Sequence, residues 1–237
     1  LSGIMHASPP TDLQQTDTYF IVAHFHYVLF GGTMFALFAG LYYWIPKVTG
    51  RLLHEGMGKL HFWLMFLSFN LTFFPMHFLG MNGMPRRTFT YLSDLGFDAM
   101  NLASTVGSFV LGASMLIFVW NLLRSFRRGA PAGRNPWNAA TLEWTLPSPP
   151  PHYNFRTIPE VSGRDPLWKE GGSAIDPEEP SAPEPVMPSP SGWPILLALG
   201  PVISAVGALL SSLIVVFVGV AVVVASIYGW AFQPLER

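Results

Sequence analysis

The sequence predicts an all-α membrane protein with three transmembrane helices and a C-terminal transmembrane hairpin. Two observations predict it. Half of the 237 residues are hydrophobic and only 11% are charged, too apolar a balance for an ordinary water-soluble domain. Four stretches, 19–45, 60–82, 99–123 and 192–232, contain no Asp, Glu, Lys or Arg at all. The first three match the roughly 20 residues that a helix needs to cross a hydrocarbon core of about 30 Å.

Residues 1–18, rich in Ser, Pro, Asp and Gln, read as a short loop leading into the first span. Helix one then runs to about Ile45, where Pro46 is expected to stop it. The connection to helix two carries Lys47, Arg51 and Lys59 against Glu55, and the stretch after helix three carries Arg124, Arg127, Arg128 and Arg134. Seven positive charges on one side make that side cytoplasmic by the positive-inside rule, and put residues 1–18 and the loop between helices two and three on the outer face. Residues 135–191 are polar and proline-rich, without a sustained hydrophobic period, and read as an extended cytoplasmic linker, wrapped on the protein or loose. The last run, 41 residues from 192 to 232, is about twice the core thickness as one helix. A hairpin turning near Ser211 and Ser212 fits better, with a single long tilted helix as the alternative. The expected organisation is therefore membrane helices over 1–130, a linker over 131–191 and a membrane extension over 192–237. With no initiator Met and no signal peptide, the chain reads as part of a longer one.

A net charge of −1 and no basic block longer than two residues give nucleic acid no foothold. The absence of Cys excludes disulfides, thiolate metal sites, CxxCH haem attachment and cysteine nucleophiles. Any metal must be held by His, Met or carboxylate.

Helix one contains AHFHY, with His24 and His26 two positions apart. That offset is about 200° on a helix, so the imidazoles leave from opposite faces and cannot chelate one metal. A helical zinc site of the HExxH kind wants a spacing of three or four. Two readings remain open on spacing alone: each histidine ligates a separate haem iron, or both are structural and hydrogen-bonded to neighbouring helices. Arg86 and Arg87 are the basic pair that breaks the charge rule on the outer side. They read either as solvated loop residues or as a grip on carboxylates such as haem propionates. Asp12 and Asp17 share that surface, where they could accept hydrogen bonds from protonated propionates or hold a hard cation, or be merely solvated. Gly31, Gly32, Gly40, Gly107 and Gly112 are expected to allow close helix or macrocycle approach. His6, His54, His61, His77 and His152 have no partner at metal-ligand spacing and read as hydrogen-bonded or solvated.

The segments DTYFIVAHFHYVLFGG, HFLGMNGMPRR and LEWTLPSPPPHYNF, in that order, resemble the C-terminal third of subunit I of haem-copper cytochrome c oxidases over roughly residues 1–160. The resemblance implies that the helices belong to that subunit's bundle. It implies that His24 is the proximal ligand of the high-spin haem facing copper, and His26 one axial ligand of the low-spin haem, both haems a-type. It implies that Arg86 and Arg87 bind propionates, that Asp12 stands beside those of the high-spin haem, and that Asp17 ligates a magnesium or manganese ion. One departure stands out: Thr16 occupies a position where the family commonly has a histidine ligand to that ion. The copper ligands, the active-site tyrosine, the second low-spin haem ligand and the proton-channel residues would precede residue 1. The implied activity is electron transfer from cytochrome c to oxygen coupled to proton pumping, in a bacterial cell membrane with the C-terminus cytoplasmic. The implied partners are the bilayer, the rest of subunit I, oxidase subunits II and III, cytochrome c and O2. A quinol oxidase of the same superfamily, or a dihaem electron-transfer anchor without oxygen chemistry, would share the histidine pattern. The terminal hairpin resembles extensions on some bacterial subunits I and suggests packing against another subunit.

Overall fold

The computed structural model describes residues 1–161, 163–169, 183, 185–187 and 189–234. Part of the proline-rich linker expected over 135–191 therefore lies outside the described residues. The chain divides into two compact units, Leu1–Pro151 with Glu160–Asp176, and His152–Pro159 with Pro177–Arg237. Among the described residues there are helices and two isolated bridges but no strand.

The first unit begins with two short helices, α1 (Ser2–Ala7) and α2 (Pro9–Gln15), where a loop was expected. Pro9 and Pro10 open α2, a place where a missing N–H costs nothing. Thr18 then caps α3 (Tyr19–Leu29), its hydroxyl accepting from the Phe20 N–H at 3.1 Å. A π-helical turn over Phe30–Met34 joins α3 to α4 (Phe35–Thr49), and the three form one span, Tyr19–Thr49. Pro46 does not end this helix. It lies within α4, and the stop comes at Gly50, which adopts φ 72° and donates its N–H to the Pro46 carbonyl. Only glycine fits there, because a side chain would meet the Ser148 carbonyl as well as strain the backbone.

Helices α5 (Glu55–Met81) and α6 (Asp98–Arg128) outrun their charge-free cores. Both begin at an acid, and α6 ends on Arg127 and Arg128, as the helix dipole favours. Met65, Phe69 and Phe73 recur every fourth residue of α5 and so share one face. That face packs against Phe38 of α4 and Leu111 and Phe118 of α6 to form the main core. Leu67, Leu71 and Phe74 remain exposed on α5, as lipid-facing residues would. Together with α9 (Leu213–Ala231), these spans give four helices among the described residues long and apolar enough to cross a membrane.

The glycines that let helices touch are mostly not those the sequence singled out. A side chain at Gly80 would overlap the Phe20 backbone, and one at Gly107 would overlap Thr72. Gly32, Gly40 and Gly112 face open space, and Gly31 makes only ordinary contact with Phe69.

At the end of the bundle far from His24 and His26, residues 131–146 fold back onto the helices. Lys47 is buried, and its ammonium donates to the carbonyls of Arg134 (2.8 Å) and Leu146 (2.7 Å) over the Trp144 ring. Buried Asn121 accepts from the His54 N–H and donates to the His54 carbonyl, tying α6 to the entry of α5. A single turn, α7 (Pro166–Lys169), also belongs to this unit.

In the second unit α8 (Trp193–Leu209) and α9 pair as the expected hairpin rather than as one long helix. The turn falls at residues 210–212, where Ser211 takes φ 52°. Gly200 and Gly207 of α8 and Gly219 of α9 sit where the backbones approach, and the Ser204 hydroxyl donates to the Val216 carbonyl at 3.1 Å.

Candidate functional site

His24 and His26 lie about 8 and 11 Å along the span from Tyr19, at the helical rise of about 1.5 Å per residue. They leave α3 for different surroundings. His24 turns toward α1, where its Nδ1 is 2.8 Å from the Ser2 hydroxyl and its ring centroid is 4.9 Å from that of His6. His26 donates from Nδ1 to the Val22 carbonyl one turn back, at 2.8 Å, and stacks on Phe73 of α5 at 4.2 Å and 11°. In each case Nδ1 is anchored, and no hydrogen bond among the described residues engages Nε2. For His26, whose Nδ1–H must donate to a carbonyl, the tautomer leaves the Nε2 lone pair for an iron; for His24 the Ser2 hydroxyl can donate or accept, so that contact orients the ring and leaves Nε2 without a protein partner among the described residues. The residues present therefore fit one haem iron per imidazole.

The loop after α5 comes back to the start of α3 through a backbone clasp. The Tyr19 N–H donates to the Met84 carbonyl, and the Arg86 N–H donates to the Asp17 carbonyl, both at 2.9 Å. The clasp carries Arg86 and Arg87 to the same end of the bundle as the histidines. Arg86 is partly buried and pairs with Asp17, Nη2 to Oδ1, at 2.6 Å. Arg87 is exposed, and its φ of 64° is rare for a residue other than glycine. The structure thus brings Asp17 to Arg86 but Asp12 elsewhere: Asp12 faces His6 at 3.4 Å. Thr16 closes the C-terminal end of α2 beside Asp17.

Four of the five histidines set aside as bland gain specific surroundings. His54 accepts from the Met57 N–H and caps α5. His61 is buried between Phe38 and Phe118, with the Tyr42 hydroxyl 3.3 Å from its Nδ1. His77 donates to the Phe74 carbonyl and lies between the rings of Phe20 and Tyr27. His6 is the one that reaches the site. The sequence offered no signal for His6, Ser2 or Phe73 as neighbours of the pair, because their proximity follows from helix packing across 18 to 47 positions of chain.

Fold and site together define a multi-pass helical membrane protein with two imidazoles directed to different surroundings from one span. A family model described as "Cytochrome C and Quinol oxidase polypeptide I" matches residues 1–110. "Cytochrome c oxidase subunit 1" of Bacillus subtilis (strain 168) is 43% identical over 231 residues, covering 94% of this chain and 37% of the relative. The protein of that name from Bacillus sp. (strain PS3) is 46% identical over 211 residues, with 87% and 34% covered. "Probable cytochrome c oxidase subunit 1-beta" of Nocardia farcinica (strain IFM 10152) is 52% identical over 171 residues, with 71% and 29% covered. The chain belongs to the haem-copper oxidase subunit I family. It spans about a third of the length of the curated relatives it matches.

Proposed function

We propose that these residues are the haem-ligating, C-terminal part of subunit I of a bacterial respiratory terminal oxidase. The full assembly would take electrons from cytochrome c, pass them through a low-spin haem to a haem-copper centre, reduce O2 to water and pump protons. The observation that carries the reading is the opposed pair of imidazoles on one span, each held at Nδ1 and open at Nε2. His24 would hold the high-spin haem and His26 the low-spin haem, both of a-type. The bound haems supply the electron-carrying and oxygen-binding chemistry. This chain's residues set where the haems sit: α3 fixes the spacing of the two ligands, Phe73 walls one side of His26, and the clasped loop offers guanidinium to carboxylates at one end. Arg86 and Arg87 would bind propionates, and Asp12, facing His6, would stand on the His24 side. Copper would be held by residues that, as the resemblance implies, belong to other helices of the subunit.

The matched family's description includes quinol oxidases, whereas the relatives reported above are named for cytochrome c, which favours cytochrome c as donor. Subunits II and III would complete the assembly, with the clasped end on the outer face and the C-terminus cytoplasmic. The test is His26→Ala in the full-length enzyme. Loss of the low-spin haem spectrum with the high-spin haem retained is expected, and retention of both would overturn the assignment.

A further inference from the structure

The family resemblance implies a magnesium or manganese ion at Asp17, but the donors present here do not fit one. A hard divalent cation wants several oxygen donors, anionic ones foremost. Thr16 offers only a neutral hydroxyl, and Oδ1 of the exposed Asp17 carboxylate is engaged by the Arg86 guanidinium at 2.6 Å, which leaves the chain one carboxylate oxygen, Oδ2, to offer. His6 and Asp12 face each other, 3.4 Å apart. Within the clasp the backbone bond from the Arg86 N–H to the Asp17 carbonyl lies beside the side-chain contact.

We propose that in this protein an internal ion pair replaces the divalent cation: Asp17 is a positioning residue for Arg86 and not a metal ligand. A cation at Asp17 would share that carboxylate with the guanidinium's positive charge, and without a histidine at position 16 no second strong donor stands beside it. Arg86 in turn keeps one side engaged by Asp17 and offers its remaining donors to a carboxylate ligand. The last step rests on the haem reading above; the metal statement does not.

The test uses the full-length oxidase produced in manganese-rich, magnesium-poor medium and washed with chelator. Elemental analysis and the Mn(II) EPR spectrum of the wild type should show no manganese in step with protein, and Thr16→His should acquire it. Manganese bound stoichiometrically in the wild type and lost in Asp17→Asn would overturn the proposal. Asp17→Asn should also raise the midpoint potential of a haem at full haem content, because an uncompensated Arg86 favours the reduced, less positive iron. An unchanged potential would overturn the positioning role. Absence of haem from the purified wild type would instead sink the functional reading, while leaving the manganese result interpretable.

Discussion

At the scale of single residues, burial and partners separate side chains that look alike in the sequence. Lys47 reads as one more charge of a basic loop, yet its ammonium is enclosed and shared between two carbonyls. Lys47→Met would remove two charged hydrogen bonds, each worth about 1.5–3 kcal/mol, and leave the Arg134 and Leu146 carbonyls unpaired. The oxidase should then lose its haem absorbance at a lower temperature on heating, with the starting spectrum unchanged. Lys59→Met is the control, because its pairing with Glu55 is exposed and such pairs contribute little. The division of His24 from His26 was legible, since a two-residue offset on a helix dictates it. The role of Lys47 was not: its acceptors lie 87 and 99 positions away, and nothing local marks a lysine that will be buried.

At the scale of elements, the charge-free runs located every span, and the serine pair located the hairpin turn, because a bilayer imposes length and polarity directly. Helix ends and crossings were less legible. Pro46 looked like a stop, but it lies inside α4, where it removes one N–H from the helix ladder without ending it, and the left-handed Gly50 does the stopping. Which glycines face a neighbour depends on the rotation of each helix, which composition does not encode. The contrast is testable within α6. Gly107→Ala should loosen its packing on α5 by about 1–3 kcal/mol, the usual cost of overfilling a close contact, seen as a lower midpoint of thermal inactivation. Gly112→Ala, with open space before it, should leave that midpoint unchanged or slightly raised, since alanine is the better helix former.

At the scale of the whole molecule, the candidate haem ligands and their arginines all belong to the first unit, and the hairpin of α8 and α9 is internally complete. Removal of residues 192–237 from the full-length oxidase should therefore preserve both haem signatures in a reduced-minus-oxidised difference spectrum. Loss of either haem would assign the hairpin a part in holding them. The site's own architecture was legible only in halves: the histidines and arginines could be picked out as residue types, but the clasp between residues 17–19 and 84–86 joins two segments more than 60 positions apart and has no local signature.

The π-helical turn at Phe30–Met34 bears on how this span can change length. A π-helical turn holds one residue more than the α-helical turn it replaces, so it behaves as an insertion absorbed in place, with the faces on either side kept in step. Deleting Gly32 should convert it to an ordinary turn, leaving His24 and His26 and, beyond it, Phe38 and Lys47 directed as before. Deleting Ala39, inside regular α4, should instead rotate everything after it by about 100° and pull Lys47 and Tyr42 from their partners. The helix thus has one position where a residue can be lost or gained without re-aiming its two ends. A gap in this span among related chains belongs there, between the histidines and the buried lysine.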